Sequence, residues 1–166
     1  MQTPERRLKV TTPSEREIAM TREFDAPRDL VFEAYTSPEL LKRWLGVAYG
    51  WVMADCEVDL RVGGKYRYVW RGPAGEEMGM GGTFTEIKPP SLIRATERFD
   101  QAWYSGGDAE QTLTLTERDG RTTLELKVRY ASREARDEAL EGMEDGVEIG
   151  FNNLARVLTE IMAARK

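Results

Sequence analysis

From Ala54 to about residue 130 apolar side chains recur at every second position, in run after run, with turn-forming residues in between. A two-residue period sends alternate side chains to opposite faces of an extended strand, so each run has one face to bury and one to wet. Six such runs in succession commit the chain to an antiparallel sheet with one apolar face. Some other element must cover that face.

The runs are explicit. Ala54, Cys56, Val58 and Leu60 alternate with Asp55, Glu57, Asp59 and Arg61, and Val62-Gly63-Gly64 supplies a turn. Tyr66, Tyr68 and Trp70 then alternate with Lys65, Arg67, Val69 and Arg71, an aromatic ladder on the inner side of a hairpin. After Gly72-Pro73-Ala74-Gly75, Met78, Met80, Gly82 and Phe84 share a face, and Pro89-Pro90 ends that strand after Ile87. Ser91 to Phe99 follows, with Ile93, Ala95, Glu97 and Phe99 together. Asp100 to Asp108 reads as a loop carrying Trp103 and Tyr104. Two last strands, about 110–117 and 122–130, flank Asp119-Gly120, a strong hairpin signal.

Ahead of the sheet, residues 1–13 read as a flexible leader and 14–166 as a single domain. A first strand is expected from Arg16 to Phe24, with Ile18, Met20, Arg22 and Phe24 on one face. Asp25-Ala26-Pro27 opens a short helix bearing Leu30, Val31, Ala34 and Tyr35, with Pro27 suited to its first turn. Ser37-Pro38-Glu39 repeats the start signal for a second, with Leu40, Leu41 and Trp44 at helical spacing.

The cover for the sheet lies at the other end. From Ser132 to Lys166 the pattern is helical, with a break near Gly142, and Leu140, Met143, Val147, Phe151, Leu154, Leu158, Ile161 and Met162 form one broad stripe. Gly142, Gly146 and Gly150 recur along its edge. Glycine inside a helix costs about 0.5–1 kcal/mol relative to alanine, so the row signals close backbone packing, room beside a ligand or local fraying.

Composition removes several function classes. The chain has no histidine, which excludes imidazole metal sites and histidine-based triads. Its formal charge of −5 and lack of a basic tract argue against nucleic acid. No segment has the apolar length for membrane insertion, and a cytoplasmic location is expected. Cys56, the one cysteine, reads as a buried structural thiol. Gly63-Gly64-Lys65 lacks phosphate-loop spacing, and Glu57 and Asp59 lack the partners of a metal site. No motif calls for a metal, a cofactor or a catalytic residue.

What remains is an inner face unusually rich in aromatic and sulfur side chains. Tyr66, Tyr68, Trp70, Met80, Phe84, Met143 and Phe151, with Trp44 and Trp103 arriving from the edges, are the candidates to line a ligand cavity, since an ordinary core would hold more Leu, Ile and Val; an aromatic ladder packed as core is the alternative. Glu97 joins them by parity. If that face is inward, its carboxylate orients a polar ligand group or serves as a general acid or base; a strand-end place at the solvent mouth is the plainer alternative.

Short motifs then combine into a resemblance. They are Arg22-Glu23-Phe24-Asp25-Ala26-Pro27, Val31-Phe32, Pro38-Glu39 with Leu41 and Trp44, Cys56 to Arg61 with Gly63-Gly64 and Tyr66-Arg67, and Gly82, Phe84, Glu86-Ile87 and Pro89-Pro90. Glu134-Ala135-Arg136-Asp137, Gly142-Met143-Glu144, Gly146 and Asn153-Leu154 complete the set. In order and spacing, over about residues 16–162, the chain resembles bacterial members of the family homologous to the C-terminal domain of the activator of the Hsp90 ATPase, within the START-related, Bet v 1-like superfamily (SRPBCC).

The resemblance implies an α+β helix-grip fold: a strand, two short helices, a six-strand antiparallel meander and a long C-terminal helix across the concave face. It also implies a cavity between helix and sheet. The leading expectation is noncatalytic binding of a small hydrophobic or amphipathic molecule there. A cyclase- or hydrolase-like enzyme and an Hsp90 cochaperone-like interaction module are the alternatives. A homodimer would be one way to protect sheet edges and exposed aromatics.

Overall fold

The computed structural model describes residues 8–100, 107–142 and 146–165. Among the described residues eight strands form one antiparallel sheet, and four helices pack with it. In chain order these are β1 (Lys9–Thr11), β2 (Glu17–Phe24), α1 (Arg28–Thr36), α2 (Pro38–Trp44), β3 (Val52–Val58), β4 (Lys65–Arg71), β5 (Glu77–Lys88), β6 (Leu92–Phe99), β7 (Ala109–Arg118), β8 (Arg121–Arg129), α3 (Arg133–Gly142) and α4 (Gly146–Ala164). Strands β3 to β8 are the expected meander, and the sheet order is β1-β2-β8-β7-β6-β5-β4-β3.

The first long strand therefore closes against the last. Glu17 to Phe24 of β2 pairs residue for residue with Arg129 to Thr122 of β8. Two register shifts, at Met53/Asp55 in β3 and Phe84/Glu86 in β5, are irregularities of the kind that bend and twist a sheet. The β7–β8 turn is the two-residue loop read from Asp119-Gly120, with both residues at positive φ (54° and 77°).

Three local readings shift. Within the stretch read as a leader, Lys9–Thr11 adds an edge strand to β2, because an open strand edge offers unpaired backbone groups to any nearby extended segment. Pro27 is the N-cap of α1 instead of lying inside its first turn, a one-residue difference at an end where proline lacks only an N–H that no helix would use. Leu60 falls beyond β3 and is 41% exposed, since the alternation continues past the residues that pair.

α1 and α2 carry the chain from β2 to the far edge strand β3. Helix α4 buries Gly150, Phe151, Leu154, Val157 and Leu158. They join a core that includes Leu30, Val31, Leu41 and Trp44 from α1 and α2 and Tyr66, Phe84, Leu113 and Leu124 from the sheet. Phe151 is its pivot: its ring stacks on Trp44 (6.1 Å, 22°) and meets Phe24 edge-on (6.1 Å, 62°). A second cluster, Ile18, Met20, Ala109, Val128, Tyr130 and Ala135, packs α3 against the β2–β8 side. Among the described residues no helix is long and apolar enough to cross a membrane.

Candidate functional site

Between these clusters the sheet and helices do not meet, and a cavity of about 800 Å³ separates them. That lies within the range of small-molecule pockets. Its floor is the sheet, through Met20, Trp70, Met78, Met80, Glu97, Phe99, Leu126 and Val128. Tyr35 and Trp44 come from α1 and α2, and Leu45, Gly46, Ala48, Tyr49 and Trp51 from the segment that leaves α2. Ala139 and Glu141 on α3, with Gly146, Val147, Gly150 and Phe151 on α4, form the opposite wall. Tyr49, Glu138 and Glu141 are exposed where the cavity reaches solvent.

The tryptophans are held by their polar ends. Trp44 Nε1–H donates to the Ala34 carbonyl and Trp70 Nε1–H to the Leu45 carbonyl, both at 2.9 Å. The second bond ties the exit of α2 to the sheet. It also explains Gly46, which has φ +71° and whose missing Cβ would strike the Trp70 indole. Each indole thus presents apolar surface with its donor already satisfied.

The glycine row behaves differently at its two described cavity positions. Among the described residues, a Cβ on Gly146 would meet nothing within 4 Å, and one on Gly150 would touch only the Trp44 carbonyl at 3.7 Å. Both line the cavity. At Gly146 the missing side chain leaves open space beside the cavity, whereas Gly150 lies within ordinary contact of the α2 backbone.

Glu97 is the outstanding polar group. Parity places it on the inner face of β6, where it is 8% exposed and lines the cavity. Its side chain makes no hydrogen bond or ion pair with a described residue. Burial in apolar surroundings disfavours the charged form and pushes its pKa up to about 7. Burial, and secondarily the Glu97 charge, raises the phenol pKa of Tyr35 and Tyr66; Tyr68 is also raised, chiefly by burial.

Of the residues expected to line a cavity, Trp44, Trp70, Met80, Glu97 and Phe151 do so. Tyr66, Tyr68 and Phe84 lie in the packed core beside it. Tyr66 explains why: its hydroxyl donates to the Thr96 carbonyl (2.6 Å) and accepts from Gln111 Nε2 (2.8 Å), and its ring packs on Tyr68 (5.1 Å) and Phe84 (5.4 Å). Trp103 and Met143 lie outside the described residues. Sequence reading missed Tyr35, Trp51, Tyr130 and the α3 carboxylates. Tyr35 sits on the stripe of α1, a usable signal; Trp51 and Tyr130 stand at element junctions, where periodicity is silent.

Cys56 is half-buried and its thiol is pushed up to about 11 by burial, which keeps it protonated and unreactive. Among the described residues no cluster of acidic and cysteine side chains is arranged to hold a metal.

This sheet-and-helix frame with an internal cavity has relatives. The family model described as activator of Hsp90 ATPase homolog 1-like protein matches residues 25–159. The chain belongs to this family. Among solved structures, a Rhodobacter sphaeroides protein is 31% identical, with a TM-score of 0.85 over 93% of this chain and 99% of that one. A Chromobacterium violaceum protein is 29% identical, with a TM-score of 0.76 over 87% and 98%. One from Arthrobacter aurescens is 26% identical, with a TM-score of 0.81 over 92% and 91%. No curated protein matches the chain. These relatives share the sheet-and-helix frame over nearly their full lengths.

Proposed function

We propose that the protein binds a small hydrophobic or amphipathic molecule, without chemical conversion, in the cavity between the sheet and α4. The observation that carries this reading is the cavity wall itself: Trp, Met, Phe and Tyr side chains line about 800 Å³ beside the buried carboxylate of Glu97. Packed cores do not leave such volume, because unfilled space forfeits dispersion contacts. Trp44, Trp51 and Trp70 on the wall make the test direct. Saturable change in tryptophan emission on titration with a homologous series of alkyl alcohols, with matching one-to-one adducts in native mass spectrometry, is the expected result. A flat response across the series overturns the proposal.

One observation favours a second reading. A cavity carboxylate titrating at about 7 is suited to general acid–base work near neutral pH. In that case a bound compound would be converted and Glu97→Gln would abolish conversion.

A further inference from the structure

We propose that the cavity selects amphiphiles whose polar end is a cation, a protonated amine or quaternary ammonium, and that Glu97 is the group that recognises it. This rests on the cavity being a binding site. The first support is geometric. Glu97 lines the cavity from β6, is more than nine-tenths buried, and its side chain has no hydrogen-bond or ion-pair partner among the described residues. A carboxylate held that way lacks the partner that ordinarily accompanies a buried charge.

The second support is the chemistry around it. No Lys or Arg is among the described lining residues, whereas Glu138 and Glu141 stand with Glu97 on the wall. Trp44, Trp51 and Trp70 line the same space, and indole faces attract cations through the negative centre of the ring. A cationic head beside Glu97 is favoured by both groups. An anionic head is opposed by both, and a neutral one gains little from either.

The protonation state follows from the neighbours. Tyr35 of α1 and Tyr66 and Tyr68 of β4 are close enough to feel the Glu97 charge, and burial keeps all three phenols neutral. Cys56 of β3, behind Tyr68, also stays protonated. β5, β8 and α4 face the cavity with Met78, Met80, Leu126, Val128 and Phe151, none of which ionises, and the chain has no histidine. Glu97 alone among these groups changes charge near neutrality, so a bound cation draws it to the carboxylate form.

Three probes with one alkyl chain separate the head group from the tail: decyltrimethylammonium, decanol and decyl sulfate, each titrated against tryptophan emission below its micelle concentration. The cation is expected to bind about tenfold more tightly than the alcohol, and the sulfate more weakly than both. Glu97→Gln is expected to erase the cation's advantage over the alcohol. In the wild type, lowering the pH from about 8 to about 6 is expected to weaken the cation severalfold and leave the alcohol unchanged. That pH series and the wild-type ranking decide the matter even if the variant fails to fold. Equal affinity for cation and alcohol, or preference for the sulfate, overturns the cation assignment and leaves the cavity a binding site; no binding of any probe overturns both.

Discussion

At the scale of single residues, Glu97 makes folding depend on pH. Its folded pKa of about 7 lies above the ordinary value of 4.5, so the folded state holds the proton more tightly than the unfolded chain. The contribution is most favourable below about pH 4.5 and is lost as pH rises to about 7, at a cost on the order of 3 kcal/mol once the carboxylate is charged. Glu97→Gln is expected to flatten this slope in urea unfolding measured across that window. Gly82 is a second sensitive point. A Cβ there would run into the Thr96 carbonyl on the neighbouring strand, so Gly82→Ala is expected to lower stability by roughly 2–3 kcal/mol. Trp70→Phe removes the donor to Leu45 and is expected to cost about 1 kcal/mol, read from the denaturant midpoint.

At the scale of elements, α4 combines two duties. Its Phe151, Leu154, Val157 and Leu158 face the core, while Gly146 and Gly150 stand beside the cavity. Replacing Gly146 by Leu puts a side chain into open space, so the stability change is expected to stay within about 1 kcal/mol while probe binding is lost. Equilibrium unfolding and tryptophan titration on the same sample separate the two effects. A buried leucine gives the opposite pattern: Leu154→Ala is expected to cost 2–5 kcal/mol, an order-of-magnitude range for a large-to-small core change. The elements were largely legible beforehand. Alternation marked β3 to β8, Asp119-Gly120 marked the last hairpin, and Ser37-Pro38 marked the start of α2. These signals are local, since backbone dihedrals and side-chain alternation depend on near neighbours. The pairing of Lys9–Thr11 with β2 was not legible, because a short edge strand is made by the sheet beside it.

At the scale of the whole molecule, a ligand that binds only the folded state is expected to raise the melting temperature. Decyltrimethylammonium at about a hundred times its dissociation constant would add roughly 2.7 kcal/mol, a rise of about 5–10 °C for a chain of this size. Differential scanning fluorimetry reads it directly. The sequence alone determined that an antiparallel sheet must be covered by a long amphipathic helix, and that Glu97 shares a face with Ile93 and Ala95. It also identified Trp44, Trp70 and Phe151 as apolar surface turned inward. Only the tertiary structure decided which inward residues face one another and which face space. Tyr66, Tyr68 and Trp70 share one alternation, yet Trp70 reaches the cavity wall while the other two pack into the core. Periodicity records the side of a strand on which a residue lies. The gap between that side and the helix above it depends on sheet curvature, on the placement of α2 and on the side chain absent at Gly146, none of which is a property of the strand itself.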